Sequence, residues 1–478
     1  MTICRSIIGS LLFVTACAGQ PGTYDAAPPV PPPTWTSANI SQAAPDQDWL
    51  DVFGDPQIST LVKEALVANP SLRSQAFTVA ASRAQALATY GRTLPNASLG
   101  GSAGLTSTSV EIAGDTDRIN SESFGLDGSL SWEADLWGRV SAQVDAARAD
   151  LVASRSDYDA ARLSLAGQTV IAWFDLSEAN AQLSVAEETV LARQRALELT
   201  ERRFSRGLST ALDVRTARST LASADATVAS REQASGNAIR RLEILLGRYP
   251  AGLIDGNMPL PELPEIAAGG APADLLDRRP DLAAAEARLI AAGFRAEQAR
   301  LSLLPSLSIT ARASTNEDAI GDALDPARLA GQLISSLTAP IFTGGALQAD
   351  RDAAIARAES AAENYVSIVL TAWNEVEDTL AADIFLARQE TAQMLALEEA
   401  RLAEELGERQ YVNGLISIFN LIDLQTRRLN AESSVISARS ARASNRVRYH
   451  LALGGGAPER TTGELTIQET ETDRINLR

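Results

Sequence analysis

Residues 69–100 read NPSLRSQAFTVAASRAQALATYGRTLPNASLG, and residues 279–310 read RPDLAAAEARLIAAGFRAEQARLSLLPSLSIT. The two stretches align without a gap, so that Pro70 falls on Pro280. Other matched pairs are Leu94-Pro95 with Leu304-Pro305, Tyr158 with Tyr365, Phe204 with Tyr411, and Gly207-Leu208 with Gly414-Leu415. The repeated unit is about 200 residues long, far beyond the period of solenoid repeats. The sequence therefore predicts that a whole structural half has been duplicated.

The composition favours slender helices and argues against a nucleic-acid partner. Aromatic residues make up only 5% of the 478 residues, which suits helices packed side by side better than a thick globular core. The net charge is −18 at pH 7. An acidic surface repels phosphate groups, so we expect no nucleic acid to bind.

The N-terminus predicts a lipoprotein. Arg5 precedes an apolar run, residues 7–16, which is too short to cross a bilayer but typical of a signal peptide. The run ends in Val14-Thr15-Ala16-Cys17, which resembles the lipobox of bacterial lipoproteins. Residues 1–16 would then be the signal peptide, and Cys17 the acylated first residue of the mature protein. An ordinary signal peptide with an incidental cysteine is the alternative.

Acylation of Cys17 predicts attachment to outer-membrane lipid, because the next residue is Ala18 and not the Asp that favours retention in the inner membrane. Several acyl chains on one residue exceed what stable anchoring needs. Cys4 lies in the signal peptide, so neither of the 2 cysteines remains for a disulfide or a metal site. Pro28–Pro33 indicates an extended spacer within residues 17–48.

Each half predicts the same order of elements: a helix, two short strands, a very long helix, a tight turn and a returning helix. The first long helix covers about residues 138–206, where apolar and small residues follow a heptad stripe. At 1.5 Å per residue it is about 100 Å long, which no compact domain contains. The remaining predicted helices cover residues 58–93 and 210–246, and, in the second half, 272–303, 345–413 and 417–453.

The two predicted turns share their chemistry. Gly207 and Gly414 lie where a long helix needs a residue in the left-handed conformation to end. Thr210 and Ser417 follow as candidate N-caps, with Asp213 and Asn420 three residues on as in a capping box. Asp213 is therefore assigned a structural role before a functional one.

Four segments alternate apolar and polar residues: 96–106, 123–132, 306–313 and 331–342. Segments of about ten residues with this pattern are typical of transmembrane barrels, and aromatic residues near their ends fit the membrane interface. A soluble hairpin packed on helices is the alternative for any single strand. Four strands cannot close a barrel, and lipid does not tolerate open sheet edges. The sequence thus predicts an oligomer that pools its strands, without fixing the number of copies.

The long helices, paired hairpins, duplicated half and lipobox together resemble the outer-membrane efflux protein (TolC-like) family, and within it the OprM-like or NodT lipoprotein branch. The resemblance runs from about Trp49 to Gly456. Its first motif is the Trp49–Pro56 stretch WLDVFGDP. The more specific motif is the Leu275–Leu282 stretch LLDRRPDL, with its Arg-Arg-Pro-Asp block.

The resemblance implies a mainly α fold with a small β part. A homotrimer would form a 12-stranded outer-membrane β-barrel continued by a long periplasmic α-helical tunnel. Residues 49–256 and 257–456 would be the two efflux repeats, and residues 457–478 a flexible tail. Such a protein is an exit duct that passively conducts drugs, toxic compounds or metal ions. It receives them from an inner-membrane RND-type pump through a periplasmic adaptor, with no enzymatic step, cofactor or bound metal.

The resemblance also implies a closed periplasmic gate where the second long helix turns back. OprM-like members carry Tyr, two residues and Gly there, then Leu-x-Leu-Leu-Asp; this chain carries YVNG at 411–414 and FNLID at 419–423. Phe419 would form the hydrophobic constriction, Asp423 an acidic ring and Tyr411 a locking contact. An Arg expected three residues after the Asp is Thr426 here, followed by Arg427. Alternatively, Asp423 is only an exposed acid in the first turns of a helix.

Other classes of protein fit less well. Residues 100–104 match the nucleophile pattern of hydrolases, but that pattern needs a strand–turn–helix elbow and a histidine base. The segment lies within a predicted strand, and the single histidine, His450, ends the last helix. A lipid-tethered structural coiled coil would have no use for four alternating strands. A type I protein-secretion duct stays open as an alternative within the family.

Overall fold

The computed structural model describes residues 27–37, 49–112, 115–254, 256, 259–266 and 269–455. The predicted signal peptide, Cys17, most of the predicted spacer and the predicted tail lie outside these residues. The chain divides into two compact units. We call Ser82–Leu151 with Ala287–Asn364 the sheet unit. The helical unit comprises Ala27–Ala81, Val152–Glu286 and the described residues from Tyr365 onward.

The elements recur in the predicted order, and the fold is mainly helical with a small sheet. The first half contains α1 (Pro56–Ala68), α2 (Pro70–Gly91), β1 (Asn96–Ile112), β2 (Asp115–Ala134), α3 (Arg139–Ser205) and α4 (Ala211–Leu245). The second contains α5 (Leu275–Arg278), α6 (Pro280–Leu301), β3 (Ser306–Glu317), α7 (Ile320–Ala323), β4 (Ala330–Thr338), α8 (Ala346–Val412) and α9 (Ile418–Ala452). Helices α3 and α8 have 67 residues each, and α4 and α9 have 35 each. Among the described helices, none combines the length and the hydropathy needed to cross a membrane.

The opening helix was expected to be continuous, and that expectation is wrong. It breaks at Asn69, because Pro70 lacks an N–H and forces the preceding residue out of the helical region. The Asn69 side chain accepts hydrogen bonds from the N–H groups of Ser71 and Leu72 at 2.9 and 3.1 Å. Its amide donates to the Leu245 carbonyl at 2.9 Å. Asn69 therefore caps α2 and attaches it to the end of α4.

The second half breaks at the equivalent place, Arg279-Pro280, within the Arg-Arg-Pro-Asp block. The Arg279 guanidinium is largely buried and lies 2.7 Å from the Asp281 carboxylate and 2.6 Å from Glu375 of α8. It also donates to the carbonyl of Ala452 at 3.1 Å. The motif is thus a joint that connects α6 with α8 and α9.

The sheet unit contains one antiparallel sheet in the order β1-β2-β3-β4. The register puts Leu99 beside Gly128 and Gly128 beside Ala313, on a face of apolar and small residues. The opposite face is polar and includes the row Ser98, Ser129, Arg312 and Gln332. The predicted alternation therefore sorts the side chains onto two chemically distinct faces. Within the described residues, β1 and β4 are the open edges of the sheet.

The strand ends differ from the predicted ones. Strands β1 and β2 are longer, since their pairing continues to Ile112 opposite Asp115. Strand β4 ends at Thr338, two residues before Pro340, which has no N–H for a ladder. The aromatic pairs Leu136-Trp137 and Ile341-Phe342 consequently follow the strands and do not belong to them.

The described part of the predicted spacer belongs to the helical unit and packs against α8. Trp35 is buried, and its indole N–H donates to the Gly270 carbonyl at 3.0 Å. The Glu377 carboxylate of α8 accepts from the N–H groups of Thr36 and Ser37, each at 2.8 Å. Trp35 packs in a buried cluster with Leu275, Val376, Leu380, Tyr449, Ala452 and Leu453. This end of the spacer is therefore fixed to α8.

Candidate functional site

Both long helices end in the same backbone turn. Gly207 has φ 72° and Gly414 has φ 77°, in the left-handed region that costs an L side chain about 1–2 kcal/mol. In each turn the residue after the glycine donates to the carbonyl five residues earlier, at 2.9 Å in both cases. This is the Schellman motif, which satisfies the last carbonyl groups of a helix. The α3–α4 turn and the α8–α9 turn are therefore equivalent in their backbone.

The caps of the returning helices differ. Thr210 Oγ1 accepts from the Asp213 N–H at 3.2 Å, and the Asp213 carboxylate accepts from the Thr210 N–H at 2.8 Å. The bond from Thr210 holds the pKa of the Asp213 carboxyl below its usual range, because it stabilises the charged form. Ser417 accepts from the Asn420 N–H at 3.4 Å, but the Asn420 side chain accepts from the Ser417 hydroxyl at 2.6 Å. Only the first turn thus forms the reciprocal box.

Tyr411 fastens the end of α8 to α3. It is 2% exposed, and its hydroxyl lies 2.7 Å from Thr200 Oγ1. Thr200 donates its own proton to the Ala196 carbonyl, so the tyrosine hydroxyl is the donor to Thr200. The Arg203 guanidinium donates to the Tyr411 carbonyl at 2.8 Å and lies 5.0 Å from the centre of its ring. Ala196, Ile418 and Leu421 complete the buried cluster around the ring.

Phe419 and Asp423 lie one turn apart on the exposed side of α9. Phe419 is 49% exposed, and the Asp423 side chain is 58% exposed. Asp423 pairs with Arg427 of the same helix, with Nε 2.8 Å from Oδ2. Exposed pairs of this kind contribute about 0–1 kcal/mol. Phe419 and Asp423 are therefore both accessible on the surface of α9, and the Asp423 ion pair stays within that helix.

Thr426, where the family pattern has Arg, contacts an arginine from another helix. It accepts from Arg193 of α3 at 2.8 Å. The same guanidinium donates to Gln425 Oε1 at 2.7 Å and approaches the Ile422 carbonyl at 3.4 Å. Burial lowers the pKa of the Arg193 guanidinium, although arginine stays charged in proteins. Sequence reasoning missed this contact.

A second polar cluster lies beside it, between α8 and α9. Arg428 Nε is 2.6 Å from the Glu404 carboxylate, and Arg428 also pairs with Glu432. Glu432 in turn pairs with Arg401 at 2.5 Å. Burial raises the pKa of the Glu404 carboxyl. Ionic contacts thus join the two helices of the second hairpin.

The sequence does contain a pattern that marks Arg193 as a residue on a helix–helix interface. Ala186, Arg193, Ala196 and Thr200 follow heptad spacing, and all four are buried. A charged residue on a heptad seam needs hydrogen-bond partners from the facing helix. The pattern predicts that a partner exists but cannot identify it. In the described part of the chain, no group of three or more His, Cys, Asp or Glu side chains could hold a metal ion.

Comparison with known families gives one match along the chain. The model of the family described as outer membrane efflux protein matches residues 61–248 and 271–455. The two matched stretches correspond to the two halves, and the second includes Tyr411, Phe419 and Asp423.

Individual proteins agree with the family match. The pyoverdine export outer membrane protein OpmQ of Pseudomonas aeruginosa is 31% identical over 464 residues, which cover 94% of this chain and 96% of that protein. The cation efflux system protein CusC of Escherichia coli K12 is 28% identical over 456 residues, covering 93% and 97%. The solved structure of the outer-membrane channel OprN superposes with a TM-score of 0.81 at 25% identity, covering 91% of this chain and all of that one.

Proposed function

The chain belongs to the outer membrane efflux protein family and is the outer-membrane component of an efflux system, and we propose that three copies of it form a passive exit duct. Small molecules enter this duct from a periplasmic adaptor and an inner-membrane pump of the RND type. One relative is named for pyoverdine export and another for cation efflux. We therefore assign the choice of cargo to the pump.

The four-stranded sheet is the observation that carries the proposal. Leu99, Leu105 and Leu333 project from its apolar face and are 83%, 73% and 75% exposed. Both edges, β1 and β4, need partners, because lipid leaves unpaired backbone groups unsatisfied. Joining β4 of one copy to β1 of the next pairs both edges, and three copies supply 12 strands. The number three comes from the resemblance to the family and not from the edges.

The helical unit supports the same assembly. Leu395, Leu402 and Leu406 of α8 are 60%, 50% and 53% exposed and follow heptad spacing. Exposed apolar side chains in such a stripe are typical of a surface that meets another helix. In the proposed duct that helix belongs to a neighbouring copy.

The proposed duct is anchored at Cys17, which lies outside the described residues. The tripeptide before it and the apolar run of residues 7–16 support this assignment. Cys17→Ala should abolish labelling by radioactive palmitate and slow maturation of the precursor. Cys4→Ala is the control, because residue 4 leaves with the signal peptide. Mass spectrometry that finds an unmodified Cys17 in the membrane-bound protein would contradict the assignment.

Assembly and conduction are tested on the purified protein in detergent. Native mass spectrometry should give a trimer, and insertion into planar bilayers should give discrete conductance steps. A stable monomer would contradict the sheet-edge argument, and a dimer would contradict the number three. A trimer that never conducts, even with the variants described below, would contradict the duct.

A further inference from the structure

We propose that Arg193 of α3 holds the gate-bearing end of α9 in its closed position, through a contact that we call the Arg193 clamp. The clamp consists of Arg193 with the Ile422 carbonyl and the side chains of Gln425 and Thr426. The inference rests on the proposed function, because it concerns regulation of the same duct. It assigns the closing contact to a residue outside the family's gate pattern.

The geometry matches a guanidinium. One terminal nitrogen of Arg193 donates to Gln425 at 2.7 Å and the other to Thr426 at 2.8 Å, and both lie 3.4 Å from the Ile422 carbonyl. Arg193 and Gln425 are 6% and 1% exposed, whereas Thr426 lies at the exposed rim. A planar fork reaches several acceptors at once, which a lysine ammonium on a flexible stem does not reproduce.

The clamp opposes movement of α9 away from α3. Such movement separates the guanidinium from its acceptors, leaving a buried charge and a buried amide to be rebonded or hydrated. Hydrogen bonds to charged groups are stronger than neutral ones, and a buried polar group without a partner is costly. The closed arrangement is therefore favoured by bonds that opening must break.

The other polar contacts near the turn do not join this end of α9 to α3. Asp423 and Arg427 are both on α9, so their ion pair moves with the helix and does not attach it to α3. The Tyr411 hydroxyl attaches α8 to α3. Gln182 of α3 does bond α9, but at Ser433, farther from the turn. Among the described hydrogen bonds between α3 and α9, those of Arg193 lie nearest to Phe419.

The clamp also explains the departure from the family pattern at position 426. An arginine there would bring a second guanidinium, and with it a like charge, close to Arg193. Thr426 offers an acceptor and no charge. The arginine that this chain lacks at position 426 thus has a counterpart in Arg193, which α3 supplies.

The test compares Arg193→Met and Arg193→Lys with Arg446→Met. Arg446 is equally buried, at 3% exposed, and lies on α9 against Asp383 and the Pro264 carbonyl. Arg193→Met should raise the single-channel conductance or open probability in planar bilayers, and Arg193→Lys should restore part of the closure. Arg446→Met should lower thermal stability and leave conduction like the parent's. A folded Arg193→Met trimer that conducts like the parent overturns the clamp, as does equal opening by Arg446→Met.

A measurement independent of conduction separates this inference from the proposed function. Amide hydrogen exchange of residues 418–428 should accelerate about tenfold or more in Arg193→Met, since charge-assisted bonds are lost. Thr426→Val should add less to this acceleration in the Arg193→Met background than in the parent. Unchanged exchange, or fully additive effects, overturns the clamp even if the protein proves not to conduct.

Discussion

The α3–α4 turn and the α8–α9 turn have the same backbone and differ in how the returning helix is held. Helix α4 is joined to α3 by the ion pair of Arg218 with Glu201 at 2.6 Å, whose side chains are 55% and 42% exposed. Helix α9 is joined to its own α8 by the ion pair of Arg428 with Glu404, and in addition to α3 by the buried Arg193. Ala400, the residue of α8 that aligns with Arg193, has no polar side chain. The two turns thus have the same backbone hydrogen bonds. The second hairpin differs because its returning helix also bonds α3 of the first hairpin.

The largest effect is expected from the exposed residues of the second turn. Phe419→Ala with Asp423→Ala should raise single-channel conductance, because in the proposed trimer three phenylalanine rings near one axis would form a dewetted constriction. The same variant should weaken block by multivalent cations, which clustered carboxylates attract. The matched control is Leu212→Ala with Thr216→Ala, at the aligned positions of the first turn.

The control pair should conduct and block like the parent, because the gate is assigned to the second turn alone. If the Phe419 and Asp423 variant is indistinguishable from the parent in both measurements, the gate lies elsewhere. Asp423 would then be an exposed acid with a local partner only.

The next largest difference is expected between substitutions of the two turn glycines, Gly207 and Gly414. Gly207→Ala and Gly414→Ala each force an L side chain into the left-handed region, at about 1–2 kcal/mol. A Cβ at Gly414 would also lie 3.3 Å from an Arg203 guanidinium nitrogen, whereas one at Gly207 meets nothing within 4 Å. The local opening free energy from hydrogen exchange should therefore fall more for Gly414→Ala. Equal losses of opening free energy would show that the Arg203 side chain moves away from the added Cβ at no cost in stability.

Much of this architecture follows from the sequence because it is encoded locally. Heptad spacing, the glycines of the turns and strand alternation act over a few residues, so they predict α3, α8 and the two faces of the sheet. The break at Asn69 also had a local signal, Pro70, which a continuous apolar pattern concealed. The contact of Arg193 with Gln425 joins residues 232 positions apart, and no local rule selects one acceptor among many.

A smaller difference in stability is expected between substitutions of Tyr411 and of its aligned residue, Phe204. Tyr411→Phe removes the donor to Thr200 in a buried place, at about 1 kcal/mol. Phe204, at the aligned position of α3, is 48% exposed, and Phe204→Leu should change stability by less than about 0.5 kcal/mol. Exchange rates of the amides around residue 411 measure the first effect and those around residue 204 the second. Equal effects would contradict a buried contact at Tyr411.

The smallest effect is a pH dependence confined to the first turn. The pKa of Asp213 is lowered in the folded chain, so its cap stabilises α4 fully above the ordinary carboxyl pKa and is lost as pH falls through the folded value. Asn420 carries an amide, which does not titrate. Amide protection of the first turn of α4, corrected for intrinsic rates, should therefore decrease below about pH 4, by up to the roughly 1 kcal/mol of a cap. Amide protection of the first turn of α9 should not change over the same pH range.

Exchanging the two residues tests that asymmetry directly. Asp213→Asn should remove the pH dependence from α4, because the remaining cap no longer titrates. Asn420→Asp should introduce it in α9, where the Ser417 N–H would gain a carboxylate acceptor three residues on. If amide protection at the start of α9 remains independent of pH in Asn420→Asp, the turn at Ser417 cannot form a reciprocal capping box. The two turns would then differ in cap geometry as well as in side chains.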